Sequence, residues 1–254
     1  MSFIDVFTYL EIRLLLVWIS LAILVFWGGV WCLHIVGICY SKWRLHRKLD
    51  STPRETPYPG VSILKPLVGI DSNLYSNLDT FFTLDYPTYE LLFCVHTEED
   101  PALMLVRTLM SKYPAIDAKI FIGGESVGIN PKINNMNSAY CAAKYEYVLI
   151  SDSGMRMRKD TLMDMVQSMT EKVGMVTQMP FTFDKKGFGA SVEKVYFGTQ
   201  HARIYMTAHL VGIICSTGMS CLFRKAVMDD LGGIKAFGKY IAEDYFFAHN
   251  FAAK

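Results

Sequence analysis

Acidic side chains occupy three widely separated places in this 254-residue chain, at Glu98-Glu99-Asp100, at Asp152 and at Glu243-Asp244. Carboxylate oxygens suit Mg²⁺ or Mn²⁺, and a free carboxylate can act as a general base. Each place also has a plainer interpretation, since Asp100 could cap a helix, Asp152-Ser153-Gly154 could form a turn, and Glu243-Asp244 could be a solvated helix end. Chemistry at these positions therefore depends on whether the fold brings them together.

Strand and helix signals alternate along the chain after residue 60. Asn130-Pro131 predicts a helix N-terminus, with a capping residue followed by proline in the first turn. Short apolar runs predict strands, and helical spacing predicts helices between them, with strands at residues 61–64, 90–95, 119–122 and 147–150 and helices at residues 74–82 and 101–113. This alternation predicts an α/β domain with a mostly parallel sheet. Ligands of such sheets bind beyond the carboxyl ends of the strands, where the loops after Val95, Ile122 and Ile150 should converge.

An apolar run precedes the α/β region. Residues 14–40 contain no Asp, Glu, Lys or Arg, and 27 helical residues extend roughly 40 Å, enough to cross a bilayer. The run is too long, and lacks the basic lead and small-residue cleavage site, for a typical signal peptide. Cations follow it at Lys42, Arg44, Arg47 and Lys48, which predicts that its C-terminal side faces the cytosol. We therefore expect a luminal segment at 1–13, a transmembrane anchor at 14–40, a basic linker at 41–60 and a cytosolic domain at 61–254.

Composition excludes several classes of protein. The net charge of +1 gives no electrostatic reason to expect a nucleic-acid partner. The six cysteines show no CxxC spacing, so we expect no zinc site and predict buried free thiols, with Cys215 as a candidate for pocket lining. The Gly123-Gly124 pair is not followed by the spacing of a dinucleotide fingerprint or a P-loop.

Longer stretches of the chain resemble the ceramide glucosyltransferase family of membrane glycosyltransferases, which have the GT-A fold. The resemblance covers nearly everything after the apolar run. The stretches that carry it are Pro59-Gly60-Val61-Ser62-Ile63-Leu64-Lys65-Pro66-Leu67, Val127-Gly128-Ile129-Asn130-Pro131-Lys132-Ile133-Asn134-Asn135, Asp152-Ser153-Gly154, Val195-Tyr196-Phe197-Gly198-Thr199, Thr217-Gly218-Met219-Ser220-Cys221 and Tyr240-Ile241-Ala242-Glu243-Asp244-Tyr245-Phe246.

The resemblance implies a reaction and assigns roles. UDP-glucose would be the donor and ceramide the acceptor, and one displacement would invert the anomeric carbon to give β-glucosylceramide. Asp100 would help hold the uridine nucleotide, Asp152 would hold Mg²⁺ or Mn²⁺ on the diphosphate, and Asp244 would take the proton from the ceramide hydroxyl. The enzyme would reside in the Golgi membrane or the ER with its catalytic domain facing the cytosol. Self-association stays open.

The supporting residues rest on weaker patterns. Lys65, at a strand end, and Lys132, in the first turn of the helix after Asn130, are candidate donor contacts, because a helix N-terminus favours an anion. His201 and Arg203 are candidates for the acceptor or diphosphate pocket, although a surface role fits equally well. We interpret residues 206–223 as core strand and pocket wall.

The chain also departs from the family pattern. Family members continue past the third aspartate into a Gln-x-x-Arg-Trp motif and further membrane helices, whereas this chain ends at Lys254, so we expect domain 61–254 to be incomplete. Two alternatives to an active ceramide enzyme remain open. One is an inactive remnant that binds nucleotide sugar or a partner. The other is a related membrane glycosyltransferase with another lipid acceptor, such as dolichyl phosphate, or one that builds polysaccharide.

Overall fold

The computed structural model describes residues 3–44, 57–183 and 186–254. The chain divides into two compact units. The first contains residues 1–47 and 181–213, and the second contains residues 48–180 and 214–254. Part of the predicted basic linker, residues 45–56, lies outside the described residues, as do residues 1 and 2 of the predicted luminal segment.

The second unit is an α/β domain. Its strands are β1 (Val61–Leu67), β2 (Tyr89–Val95), β3 (Asp117–Ile122), β4 (Tyr147–Ser151), β5 (Met175–Thr177) and β6 (Ser220–Arg224). The helices of the whole described chain are α1 (Phe3–Arg44), α2 (Leu74–Phe81), α3 (Ala102–Lys112), α4 (Pro131–Ala142), α5 (Thr161–Ser168), α6 (Phe188–Val195), α7 (Ala202–Leu210), α8 (Lys225–Asp230) and α9 (Glu243–Ala253). A π-helical segment (Tyr196–His201) joins α6 to α7, and a 3₁₀ helix (Ile234–Phe237) follows α8.

The six strands form one sheet in the order β3-β2-β1-β4-β6-β5. Strand β1 pairs in parallel with β2 and β4, and β2 pairs in parallel with β3, whereas β6 runs antiparallel to β4 and β5. The predicted α/β class and mostly parallel sheet are confirmed. Because β2 lies on one side of β1 and β4 on the other, the strand order reverses between β1 and β4, which is where open α/β sheets bind ligands.

Helices cover both faces of this sheet, as the near-continuous apolar runs of the central strands require. Side chains alternate along each strand, so Ile63 of β1 points to one face and Leu64 to the other, and both are fully buried. Helices α2, α3 and α5 pack on the Ile63 face, and α4, α8, the 3₁₀ helix and α9 pack on the Leu64 face. The loops at the carboxyl edge are thereby anchored from both sides.

The first unit is helical. Length and composition qualify residues 9–44 of α1 as a candidate membrane span, and the side chains of its most apolar window are exposed. Helix α7 packs against α1 at Gly37, where an added Cβ would lie 3.6 Å from the Cα of Arg203. Close by, the Tyr40 hydroxyl and His209 Nδ1 are 2.5 Å apart in a hydrogen bond. Helices α6 and α7 bury none of their own residues.

Some predictions fail in the structure. Residues 206–223 were predicted as core strand and pocket wall, but residues 206–210 complete helix α7 in the first unit and only Ser220–Arg224 is a strand. Mixed polar and apolar residues gave no clear period there. Helix α1 is longer than the predicted anchor 14–40 at both ends, and the bounds of the anchor itself stay a prediction. Cys32, Cys39 and Cys141 are exposed free thiols, whereas Cys94 and Cys221 are buried as predicted.

Candidate functional site

The candidate site begins where β1 and β4 separate at the carboxyl edge of the sheet. Asp152 follows β4 directly, and its backbone N–H donates to the Met219 carbonyl at 3.0 Å, which ties it to the start of β6. Lys65 of β1 reaches across to the same residue, because its Nζ donates to the backbone carbonyl of Asp152 at 2.6 Å and to Ser151 Oγ at 3.3 Å. The end of β4 is therefore fixed by its neighbours on both sides.

Lys65 is fully buried, and its ammonium lies 3.9 Å from the centre of the Phe81 ring. Burial lowers the pKa of Lys65 to about 7, while the negative charge of Asp152 acts in the opposite direction. A side chain with no exposed surface, committed to Ser151 and Asp152, supports the backbone below the site.

Lys132 approaches Asp152 from the other side. Asn130 Oδ1 caps helix α4 by accepting from the backbone N–H groups of Lys132 and Ile133, at 2.9 and 3.2 Å, as predicted. The cap places Lys132 in the first turn, and its Nζ lies 2.8 Å from Asp152 Oδ1, 3.1 Å from Glu243 Oε1 and 3.0 Å from the Gly218 carbonyl. Burial lowers the pKa of Lys132, but the Asp152 and Glu243 carboxylates outweigh it, so the pKa is raised.

Asp244 is joined to this cluster through Gly218. Asp244 Oδ2 accepts from the Gly218 backbone N–H at 2.6 Å, while the carbonyl of the same glycine accepts from Lys132. A Cβ at position 218 would lie 3.0 Å from the Cβ of Asp244, so only glycine lets the carboxylate approach without displacement. The contacts thus run without a break from Asp152 through Lys132 and Gly218 to Asp244.

Glu243 and Asn130 anchor the cluster from below. Glu243 is buried, and its Oε2 accepts from Asn130 Nδ2 at 2.8 Å while its Oε1 faces Lys132. Asn130 Nδ2 also donates to the Tyr240 carbonyl at 2.8 Å. Asn130 was predicted only as the helix cap, Glu243 only as the neighbour of Asp244 in an acidic pair, and Gly218 had no predicted role. The adjacency of Glu243 to Asp244 was the one available signal.

Asp100 has a different set of partners. Its carboxylate accepts from the Gly69 N–H at 3.0 and 3.1 Å and from the Ala102 N–H at 2.9 Å. Gly69 has a φ of 65°, a left-handed conformation that favours glycine. Asp100 therefore ties the loop after β1 to the start of α3. Among the described residues, no hydrogen bond or ion pair joins Asp100 to Asp152, Lys132 or Asp244.

The site has limited means of holding a metal ion. Within the described parts of the chain there is no group of three His, Cys, Asp or Glu side chains arranged around one position. Asp152 nonetheless fits as a single ligand, since its side chain is one-third exposed and its buried Oδ1 faces only the Lys132 ammonium, at 2.8 Å and without a well-directed hydrogen bond, among the described residues. Mg²⁺-type sites commonly use one or two carboxylates and complete their coordination with substrate phosphates and water.

The remaining predicted residues lie elsewhere. His201 and Arg203 belong to the first unit, where the His201 ring packs on Tyr205 with a centroid separation of 4.5 Å. The buried Nε2 of His201 has no hydrogen-bond partner among the residues that the structure describes. Cys215 lies in the second unit and is half-buried, and burial raises the pKa of its thiol. Their assignment to an acceptor or diphosphate pocket stays a prediction.

The sheet is mostly parallel with β6 antiparallel, and an aspartate follows β4 at the point where the strand order reverses. This is the architecture of a GT-A glycosyltransferase. Solved structures show the same fold. A mannosyltransferase from Pyrobaculum calidifontis, in complex with GDP-Man and Mn²⁺, superposes with a TM-score of 0.61 at 21% identity and covers 87% of this chain and 64% of that one. S. aureus TarS gives a TM-score of 0.51 at 18% identity, covering 76% and 55%.

The chain belongs to glycosyl transferase family 21, whose model matches residues 29–254. Ceramide glucosyltransferase 3 of Caenorhabditis elegans is 50% identical over 228 residues, which cover 88% of this chain and 49% of that protein. Ceramide glucosyltransferase 1 of the same organism is 50% identical over 226 residues, with 88% and 48% covered. The chain thus spans about half the length of the curated relatives it matches.

Proposed function

We propose that the protein transfers glucose from UDP-glucose to the primary hydroxyl of ceramide with inversion, giving β-glucosylceramide. The family membership and the 50% identity to two ceramide glucosyltransferases support this substrate pair. The observation that carries the proposal is the continuous set of contacts from Asp152 through Lys132 and Gly218 to Asp244, because it gathers a candidate cation ligand, an ammonium and a candidate base at one edge of the sheet.

Asp244 is the proposed general base. Its Oδ2 accepts from the Gly218 N–H, which restricts the orientation of the carboxylate and leaves Oδ1 as the oxygen that would take the proton. A positioned base contributes roughly 10² to 10⁴-fold to such a transfer. Displacement of the nucleotide diphosphate by the ceramide oxygen is a single step, so the configuration at the anomeric carbon inverts.

The donor side uses the other carboxylates. Asp152 would hold a Mg²⁺ or Mn²⁺ ion, which when bound neutralises charge on the diphosphate leaving group. Lys132, at the N-terminus of α4, is placed to bind a phosphate oxygen, since both its own charge and the helix terminus favour an anion. Asp100 would support the nucleotide indirectly, by ordering the loop at Gly69. Lys65 would likewise act by holding the end of β4.

We propose that α1 anchors the enzyme in the Golgi membrane with the α/β unit facing the cytosol. The length and apolarity of α1, with Lys42 and Arg44 in its last turn, support this orientation. Exposed apolar side chains on α6 and α7, such as Phe188 of α6 and Ile204 of α7, are compatible with contact to the same membrane, which also supplies the ceramide.

The test is a transfer assay with radiolabelled UDP-glucose and a short-chain ceramide, in membranes that contain the protein and added Mn²⁺. We expect labelled glucosylceramide from the unmodified protein. In Asp244→Asn we expect a loss of roughly 10² to 10⁴-fold with UDP-glucose binding nearly unchanged. Dolichyl phosphate serves as the competing acceptor. Transfer to dolichyl phosphate instead of ceramide, or full activity in Asp244→Asn, would contradict the proposal.

A further inference from the structure

Lys132 forms the centre of a charge cluster whose members come from distant parts of the chain. The three acceptors around its Nζ are Asp152 at the end of β4, Glu243 at the start of α9 and the Gly218 carbonyl before β6. The Lys132 side chain is about one-quarter exposed, so the cluster is open to solvent on one side. Its ammonium therefore occupies Oδ1, one of the two carboxylate oxygens of Asp152.

The charges of the cluster do not cancel. Two carboxylates, Asp152 and Glu243, share one ammonium. Glu243 is buried and also accepts a hydrogen bond from Asn130, whereas Asp152 is one-third exposed, so Asp152 is the carboxylate that can exchange its share of the ammonium for water or a cation. A divalent cation that arrives alone must approach Asp152 against a positive charge already in contact with it.

A nucleotide diphosphate changes this balance, because its oxygens offer the ammonium a new anionic partner. The lysine side chain is a compact charge on a flexible stem, so its ammonium can exchange acceptors while the capped backbone of α4 stays in place. Helix α4 also presents its N-terminus to the same phosphate, which favours the exchange. Once the ammonium has moved, Asp152 is available to the cation that accompanies the diphosphate.

We propose that Lys132 is a resident counter-ion of the donor site, which blocks Asp152 to a free divalent cation until a nucleotide diphosphate takes over its ammonium. This inference rests on the proposed function, since it takes the ligand to be a sugar nucleotide. Its consequence is that cation and donor bind with positive coupling. Linkage requires the coupling to be equal in both directions, so UDP-glucose raises Mn²⁺ affinity by the factor by which Mn²⁺ raises UDP-glucose affinity.

The test measures Mn²⁺ binding directly, by electron paramagnetic resonance of the free aqueous ion, with the full chain in detergent micelles. In Lys132→Met, we expect the Mn²⁺ affinity of the nucleotide-free protein to rise about tenfold and the coupling with UDP-glucose to fall toward one, because 1–3 kcal/mol couplings correspond to about 5- to 150-fold. UDP-glucose affinity without Mn²⁺ should fall in the same variant.

Lys144→Met is the matched control. Lys144 lies just past the other end of α4 and pairs with Glu90 and Asp117, so the variant removes a lysine from an acidic partner without touching the site. We expect its Mn²⁺ affinity and coupling to match the unmodified protein. An equal rise in Mn²⁺ affinity in Lys144→Met and Lys132→Met would show that the change in net charge alone causes the effect, and it would overturn the inference.

A second variant covers the case in which an unpaired Glu243 prevents folding. Lys132→Met combined with Glu243→Gln removes the buried charge together with its partner, and it should still show the rise in Mn²⁺ affinity through Asp152. Unchanged Mn²⁺ affinity in both variants, with UDP-glucose still bound, would overturn the counter-ion role and leave the proposed function intact. A protein that binds no UDP-glucose at all, with or without Mn²⁺, would overturn both.

Discussion

Two lysines contact Asp152, and their roles there differ. Lys65 comes from β1, is fully buried and binds the backbone carbonyl, whereas Lys132 comes from the first turn of α4, is partly exposed and binds the carboxylate. Burial lowers the pKa of Lys65 to about 7, while two carboxylates raise the pKa of Lys132. The same residue type beside the same aspartate is therefore a support in one case and an exchangeable charge in the other.

The comparison shows that the partner atom and the exposure decide what a charged side chain can do. A lysine that satisfies a buried carbonyl cannot leave without exposing an unpaired polar group. A lysine that faces a partly exposed carboxylate can leave when another anion arrives, because water and ligand replace the interactions that it loses. Variants of Asp152, Lys65 and Gly218, the glycine whose N–H donates to Asp244, test this distinction.

Asp152→Asn should have the largest effect, because it removes the acceptor of Lys132 and keeps the backbone carbonyl that Lys65 binds. We expect UDP-glucose affinity in the presence of Mn²⁺ to fall roughly 100-fold. Removal of an outer-shell partner already lowers metal affinity by roughly 10- to 100-fold, and loss of a direct ligand should cost at least the upper value. Affinity without Mn²⁺ should not fall, because the diphosphate no longer competes with the Asp152 carboxylate for the Lys132 ammonium. Isothermal titration of the protein with UDP-glucose, with Mn²⁺ and with a chelator, measures both quantities.

Asp100→Asn is the matched control for that change. Asp100 binds backbone N–H groups at Gly69 and Ala102, so the amide should weaken UDP-glucose binding by the same factor with and without Mn²⁺. Loss of cation dependence in Asp100→Asn, or its retention in Asp152→Asn, would reverse the roles assigned to the two aspartates.

The sequence predicted the scaffold of this site better than its contacts. Apolar runs located the parallel strands, and Asn130-Pro131 located the start of α4, because these signals are local. The meeting of Lys132 with Glu243 joins residues 111 positions apart, which no local pattern encodes. The burial of Lys65 also could not be predicted from the sequence, because a lysine at a strand end is more often exposed. The two lysines differ in the partners that they contact in the folded chain, which residue type alone does not specify.

Lys65→Met tests the support side of the comparison. The methionine fills similar space but leaves Ser151 Oγ and the Asp152 carbonyl without their donor, which should cost about 1–3 kcal/mol locally. We expect faster hydrogen–deuterium exchange in peptides that cover β4, measured at one fixed pH, and no rise in nucleotide-free Mn²⁺ affinity. Lys119→Met, at a half-exposed lysine of β3, should leave both readouts unchanged. A rise in Mn²⁺ affinity in Lys65→Met would make the two lysines equivalent.

Gly218→Ala should have the smallest effect, and it tests whether the Lys132 side of the cluster also positions the base. The new Cβ would meet the Asp244 Cβ at 3.0 Å, so the carboxylate must shift by a few tenths of an ångström. Since misplacement by about 1 Å can cost 10²-fold, we expect a roughly tenfold loss of turnover. UDP-glucose affinity should stay within about twofold, because Asp152 and the side chain of Lys132 keep their positions. Steady-state kinetics with separate donor titrations distinguish the two. An equal loss in donor affinity and turnover would mean that Gly218 orders the whole cluster, and that base and counter-ion respond as one unit.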